Sequence, residues 1–397
     1  MSTATREAPA PPGTLPALEL LAERFEPDDI DVPGGRARIR LEVTDGEDRD
    51  AVIDDGELVL TERRGRGDAD GRLTADAATW GRIADDVRGG MDAYRAGRLH
   101  VRGNLHLGVG LLAATSGSTE PERLRFDRVE TLNHSFSFLE AGDGPPLICL
   151  HGLGATKASF LTTVSALAPA GNRVIAVDLP GFGDSDKPHS APFDAPWFAD
   201  VVLELLDGLG LERASFAGNS MGGRIAIQLG MAAPERVDKL VLLAPSLAWL
   251  RQRGWRWLLQ LPLPRLGYIQ PTPRWAVEPV VRKLVPGGEQ GWTAAGIDEF
   301  LRAYLTPAGR FAFYECARNI YMEEPYGTDG FWTRMKKLRS DSLYVWGRQD
   351  QLVPISFKRH VERATPRARH VELDCGHVPQ MEMPNATHEA MAEFLAQ

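Results

Sequence analysis

The run Gly218-Asn219-Ser220-Met221-Gly222 constrains this chain more than any other five residues. An apolar stretch, residues 214–217, leads into it, and Ile225, Ala226 and Leu229 follow at helical spacing. Strand, Gly-x-Ser-x-Gly turn and helix together form the context of a nucleophile elbow. The reason is steric. A sharp strand-to-helix turn holds its middle residue in an unusual backbone conformation, and only small residues two before and two after it let the chains pass. The Ser220 hydroxyl is thereby presented at the head of a helix, whose N–H groups favour a developing anion. Gly and Ser are common, so the pentapeptide alone reads as a loop as readily as a site. Its meaning depends on partners elsewhere in the chain.

At 397 residues the chain exceeds the size at which a single core stops growing, which predicts two or more domains. Hydrophobic content of 43% and charged content of 25% belong to an ordinary soluble globular protein. A net charge of -9 argues against nucleic-acid binding, which needs a basic patch. Cys149, Cys316 and Cys375 are too few and too scattered for a disulfide framework or a zinc site. A reducing, cytoplasmic setting fits that usage. Residues 1–16 are rich in Ala, Pro and Thr without an apolar core of secretory length, and read as a disordered tail. No apolar run approaches the ~20 residues of a membrane span. Oligomeric state is not legible.

Two stretches follow different patterns. Residues 17–117 read as α+β. Ala37, Ile39, Leu41 and Val43 alternate with Arg36, Arg38, Arg40 and Glu42, the period of a half-buried strand. Asp54-Asp55-Gly56 is turn chemistry between strands at 51–53 and 57–61, a predicted hairpin. Trp80, Ile83, Ala84 and Val87 make one helix face, with Thr74 or Asp76 as its cap and Gly89-Gly90 as its end. A short helix over 91–96 follows, and Leu105, Val109 and Leu112 mark a third amphipathic stretch. With Leu73-Thr74-Ala75-Asp76 and the passage Ala93-Tyr94-Arg95-Ala96-Gly97-Arg98-Leu99-His100-Val101-Arg102-Gly103-Asn104, this order resembles the sterol-carrier-protein-2-like (SCP2-like) domain. The resemblance implies an apolar, lipid-binding tunnel for acyl chains or sterols. The same apolar faces also read as a plain core. Residues 118–128, polar and holding Pro121, are the expected linker.

Farther on, strands alternate with helices. Residues 135–140 and 147–150 are predicted strands joined by the turn Gly142-Asp143-Gly144. Residues 173–177, 240–243 and 343–346 read as buried strands of a parallel sheet. Trp197, Phe198, Val201, Val202, Leu205 and Leu206 fall at helical spacing. The alternation predicts a mostly parallel α/β sheet. Leu150-His151-Gly152-Leu153-Gly154, Asp178-Leu179-Pro180-Gly181-Phe182-Gly183-Asp184-Ser185, Gly218 to Gly223 and Gly376-His377-Val378-Pro379 resemble, in order and spacing, the motifs of the α/β-hydrolase superfamily. The resemblance covers nearly all of residues 129–397.

Each motif then has a chemical task. Ser220 is the candidate nucleophile, inert without an adjacent base. His377, beside a Gly near the C-terminus, is the candidate base, whereas His100, His106, His134, His189, His360, His370 and His388 read as packing or surface residues. Asp350, in the loop after strand 343–346, stands at the family's acid position, in the chain order Ser, Asp, His. Its task is to hold the imidazole tautomer. Asp374 is nearer His377 in sequence, but a strand end gives it poor reach. The oxyanion hole is expected from the backbone N–H groups of Met221 and Leu153. His151 resembles the family's structural loop histidine. Asp178, Asp184 and Asp186 read as turn chemistry rather than a metal set. No metal and no cofactor are expected.

Residues 246–338 hold Trp249, Trp255, Trp257, Trp275, Trp292, Trp332, Phe300, Phe311 and Phe313. The superfamily commonly inserts a helical cap here, which excludes water and shapes the acyl pocket. Aromatics in such an insertion make its own core first, and together they favour a bulky apolar substrate. The resulting expectation is a serine hydrolase (esterase) acting on carboxylic esters of lipid-like substrates. One alternative is a carbon–carbon bond hydrolase of the meta-cleavage-product type. Gly218 to Gly223 and Trp346-Gly347-Arg348 resemble that group, although Val378 stands where its members usually carry Trp. The other is a non-catalytic lipid-binding protein, against which the complete triad argues.

Overall fold

The alternating run at the start of the chain forms β1 (Arg36–Val43), with Ala37, Ile39, Leu41 and Val43 buried. In the computed structural model the described residues are 15–63, 69–86, 89–118, 120–247, 273–276, 278–279, 290–321 and 323–397. They belong to two compact units, Met1–Ser118 and Thr119–Gln397. Most of the expected N-terminal tail lies outside the described residues.

In the first unit β2 (Arg49–Asp54) and β3 (Glu57–Glu62) form the predicted hairpin. Its turn places Asp55 and Gly56 at φ +48° and +79°, the hand that matches the twist of the strands. β4 (Gly71–Ala75) runs parallel to β1, and β5 (His100–Gly103) closes the sheet in the order β3-β2-β1-β4-β5. Around it lie α1 (Pro16–Glu23), α2 (Ala77–Asp85), α3 (Gly89–Arg95) and α4 (Leu105–Ala114). Asp76 caps α2 by accepting from the Thr79 N–H at 2.6 Å.

α1 occupies a stretch for which no element was expected, with only Pro16 belonging to the expected tail. Two readings of this unit need correction. Gly89-Gly90 begins α3 rather than ending α2, which stops at Asp85; Val87 lies outside the described residues. And α4 is not amphipathic, since Leu105 to Gly108 and Gly110 to Ala114 are all buried. A helix apolar on every side belongs in the interior. Between α1, α2, α4 and the sheet lies a cavity of about 10 Å³, lined by Leu18, Leu41, Leu73, Trp80 and Leu111, roughly the space of one water.

The second unit is built on β6 (Arg125–Glu130), β7 (Ser135–Ala141), β8 (Pro146–Leu150), β9 (Arg173–Val177), β10 (Ala214–Asn219), β11 (Val237–Leu243), β12 (Asp341–Gly347) and β13 (Arg369–Leu373). Their order is β13-β12-β11-β10-β8-β9-β7-β6, parallel from β13 to β9 and antiparallel beyond. Leu147 to Leu150 are wholly buried, as a strand covered on both faces must be. α5 (Leu161–Leu167), α6 (Ala195–Gly208) and α7 (Met221–Ala232) pack on the sheet. The linker expected at 118–128 overlaps β6, a half-exposed edge strand whose polar residues disguised it. The turn at Gly142 joins β7 to β8 along the chain, but β9 lies between them in the sheet.

Between β11 and β12 stand the helices Gln290–Tyr304, Pro307–Tyr321 and Phe331–Met335, all within the span expected for a cap. Trp249, Trp255, Trp257 and the Trp292 side chain lie outside the described residues. Among the described residues, no helix is long and apolar enough to cross a membrane.

Candidate active site

β10 lies between β8 and β11, so its carboxyl end opens at the middle of the sheet, where ligands of such sheets bind. Ser220 follows it with φ +52° and ψ -112°, a region that side-chain-bearing residues rarely adopt. The strain is held by neighbours. The Ser220 N–H donates to the Leu243 carbonyl at 3.0 Å, and its own carbonyl accepts from Ser246 at 2.9 Å and Arg224 at 3.1 Å. A Cβ on Gly218 would stand 2.5 Å from the Gly222 carbonyl, and one on Gly222 would overlap the Leu150 oxygen. Both positions therefore require glycine.

Ser220, His377 and Asp350 form one hydrogen-bonded line. His377 Nε2 lies 2.8 Å from Ser220 Oγ, and its Nδ1 lies 2.7 Å from Asp350 Oδ2. A carboxylate only accepts, so Nδ1 carries the proton and Nε2 is left to take the one on Ser220. The Asp350 side chain has no exposure, and its Oδ1 accepts from the N–H groups of Leu352 (2.8 Å) and Val353 (2.9 Å). Asp374, the rival acid, is 69% exposed and paired with Arg348. The histidine loop is tied down by Glu382, which accepts from the N–H groups of Gly376 and Val378 at 2.8 and 2.9 Å. Asn219 links it to the elbow, donating to the carbonyls of His377 (3.1 Å) and Leu243 (3.0 Å).

The loop carrying Leu153 passes directly over the elbow: a Cβ on Gly152 would meet Ser220 Cβ at 3.4 Å. Met221 opens α7 beside it. His151 donates from Nδ1 to the Gly152 carbonyl (2.8 Å) and accepts at Nε2 from the Leu179 N–H (3.0 Å). Burial lowers its pKa and keeps it neutral in that role. Asp178 receives both the N–H and the ammonium of Lys157, at 2.7 and 2.5 Å. Burial opposes the charge on Lys157, but Asp178 and Asp184 outweigh it and its pKa is raised. Asp184 takes a bidentate pair from Arg302 of the helix Gln290–Tyr304 at 2.7 and 3.0 Å, and Asp186 bonds His134 at 3.0 Å. The three aspartates are thus committed to cationic or imidazole side chains.

The cap meets the same loop. Glu299 accepts from Thr156 Oγ1 at 3.0 Å and from Arg302 at 2.7 Å. Gly154 has φ +75°, and a Cβ there would run into the rings of Phe300 and Phe313. Those two rings rest on the expected oxyanion loop, whereas Trp332 stacks on His360 and Trp275 is 78% exposed. Asn219, Glu382, Ser246, Thr156, Glu299 and Arg302 were not singled out from the sequence. Asn219 lies inside a motif, but its bond to the His377 carbonyl spans 158 positions and leaves no local signal.

Residues 145–384 match the family described as alpha/beta hydrolase fold, and residues 23–113 match the SCP-2 sterol transfer family. The chain is 30% identical over 271 residues to a 2-hydroxy-6-oxononadienedioate/2-hydroxy-6-oxononatrienedioate hydrolase of Paraburkholderia phymatum, covering 63% of this chain and 87% of that protein. It is 29% identical over 279 residues to a 2-hydroxy-6-oxo-6-phenylhexa-2,4-dienoate hydrolase of Comamonas testosteroni, covering 65% and 90%. Among solved structures, a hydrolase of that second name from a Rhodococcus species superposes with a TM-score of 0.58 at 26% identity, over 69% of this chain and 99% of that one.

Proposed function

The chain belongs to the alpha/beta hydrolase fold family, and from that premise we propose that it cleaves carboxylic esters of bulky apolar substrates through an acyl-enzyme on Ser220. The observation that carries this reading is the line Ser220–His377–Asp350 beneath a loop on which Phe300 and Phe313 rest. Ser220 Oγ attacks the ester carbonyl while His377 Nε2 takes its proton. The N–H groups of Leu153 and Met221 receive the oxyanion. His377 returns the proton to the departing alcohol, and water then clears the acyl group by the same path.

Arg302, beside the site, pairs with Asp184 and Glu299. Arg224 shares Glu323 with Arg334. Val378, an apolar residue directly after the base, supports an uncharged ester. A second reading, carbon–carbon cleavage of a vinylogous diketone, is favoured by the names of the relatives at about 30% identity. Those substrates carry carboxylates. In the same proposal the first unit gathers the acyl substrate, a role that the apolar lining of its small cavity supports.

The test is a chain-length series of chromogenic esters run beside a 2-hydroxy-6-oxo-dienoate, on wild type and Ser220→Ala. Wild type should favour long esters and be labelled at Ser220 by an organophosphonate. A higher kcat/KM for the dienoate would replace the ester reading with the second one, and an unlabelled wild type would remove both.

A further inference from the structure

β11 ends at Leu243, and the chain then turns back across the elbow through Ala244-Pro245-Ser246. Ala244 adopts φ +44°, the left-handed region that favours glycine, and its N–H donates to the Val345 carbonyl at 2.9 Å. This strained turn lays Ser246 on the nucleophile. Its N–H donates to the Ser220 carbonyl at 2.9 Å, and its Oγ stands 3.2 Å from Ser220 Oγ, with Ser246 only 5% exposed. The direction of that last bond follows from the tautomer. Ser220 has one proton, and His377 Nε2, fixed as an acceptor by Asp350, takes it. The bond between the two hydroxyls therefore runs from Ser246 to Ser220.

We propose that Ser246 is a catalytic residue of the second half-reaction, donating a hydrogen bond to Ser220 Oγ as that oxygen leaves the acyl group. The proposal rests on the acyl-enzyme reading above. In acylation Oγ passes its proton to His377 and its electron pair to the carbonyl carbon; as an ester oxygen it becomes a poor acceptor. In deacylation water adds to the acyl carbon and gives a proton to His377. The C–Oγ bond then breaks, its electron pair returns to Oγ, and His377 delivers the proton there. Charge develops on Oγ here as it does, in reverse, when Oγ attacks. The difference is that the acyl ester has given up the bond from Ser246 and regains it only as Oγ leaves. Ser246 keeps its own proton and stabilises that charge from a position its backbone already holds. In acylation the bond is already made in the resting enzyme, so its loss raises that barrier less than it raises the barrier to release.

The experiment uses the full chain and an activated chromogenic ester, with steady-state and burst kinetics on Ser246→Ala and Ser246→Thr. In Ser246→Ala kcat should fall about tenfold, the worth of one hydrogen bond to developing charge. KM should fall with it, kcat/KM should change less than about threefold, and an acyl adduct on Ser220 should accumulate in intact mass spectra. Ser246→Thr, which keeps the hydroxyl, should recover most of kcat. An unchanged kcat, or equal losses in kcat and kcat/KM, would overturn the proposal. Should Ser246→Ala fail to fold, Ser246→Cys, with its weak donor, must show the same split, and a wild-type kcat there overturns it as well. A wild type that turns over no ester and resists the phosphonate sinks the acyl-enzyme reading and this one together. A working wild type with an indifferent Ser246→Ala sinks only the role of Ser246.

Discussion

Buried polar groups are deployed differently in the two units. In the first, the pair Arg40–Asp50 (2.9 Å, side chains 3% and 1% exposed) sits across β1 and β2, and the small cavity is lined almost wholly by apolar side chains. In the second, four buried polar residues follow strand ends: Ser220 after β10, Lys157 after β8, Asp178 after β9 and Asp350 after β12. An apolar interior can hold a ligand, but it offers no group whose charge changes during a reaction. The second unit pays that desolvation cost repeatedly, and each of these four side chains is matched by a donor or acceptor.

The comparison breaks most readily at Ser220. Ser220→Ala should lower kcat by about 10⁶, whereas no single substitution around the first unit's cavity should change the turnover of a short ester beyond twofold, roughly the scatter of such assays. Trp80→Ala should destabilise the first unit by about 3–5 kcal/mol, since Trp80 is fully buried, and leave the kcat for that ester unchanged. Calorimetry with parallel assays checks both halves of the statement, and a fall in kcat would show that the units are not independent in chemistry. Arg302→Ala removes a cation from Asp184, which keeps Lys157, and from Glu299, which keeps the Thr156 hydroxyl. It should cost about 2 kcal/mol, less than a fully buried pair because Arg302 is 23% exposed, and lower kcat/KM for long and short esters alike. Removal of residues 1–118 should raise KM for long-chain esters about three- to tenfold through lost local concentration and spare short ones. Equal effects on both, or none, would end the gathering role.

The smallest expected effect concerns His151. Its pKa is lowered by burial, so below the unfolded value of about 6.5 the unfolded chain binds a proton that the folded one resists. The stability His151 contributes is present above that pH and is lost as pH falls through the folded pKa. Urea midpoints of the second unit should therefore decline below pH 6.5 in wild type, and less steeply in His151→Asn. Parallel slopes would place the acid sensitivity elsewhere.

The elbow was legible because its demand is local: two glycines and a serine must tolerate one turn, and the residues that tolerate it are adjacent. The order Ser220, Asp350, His377 was legible by motif, and the buried strands by their apolar runs. Edge strand β6 was not, since half its residues face water and read as linker. Nor was the end of α2, where Gly89-Gly90 serves the helix that follows.

What the sequence determined by itself, then, are the features that adjacent side chains impose, namely strand period, helix caps and the glycines of the elbow. Only the tertiary structure decided that β9 separates β7 from β8, that Glu382 and Asn219 tie down the histidine loop, and that Ser246 lies on Ser220. The physical reason is distance along the chain. Contacts between residues tens to hundreds of positions apart depend on sheet order and loop path, which no neighbouring residue encodes.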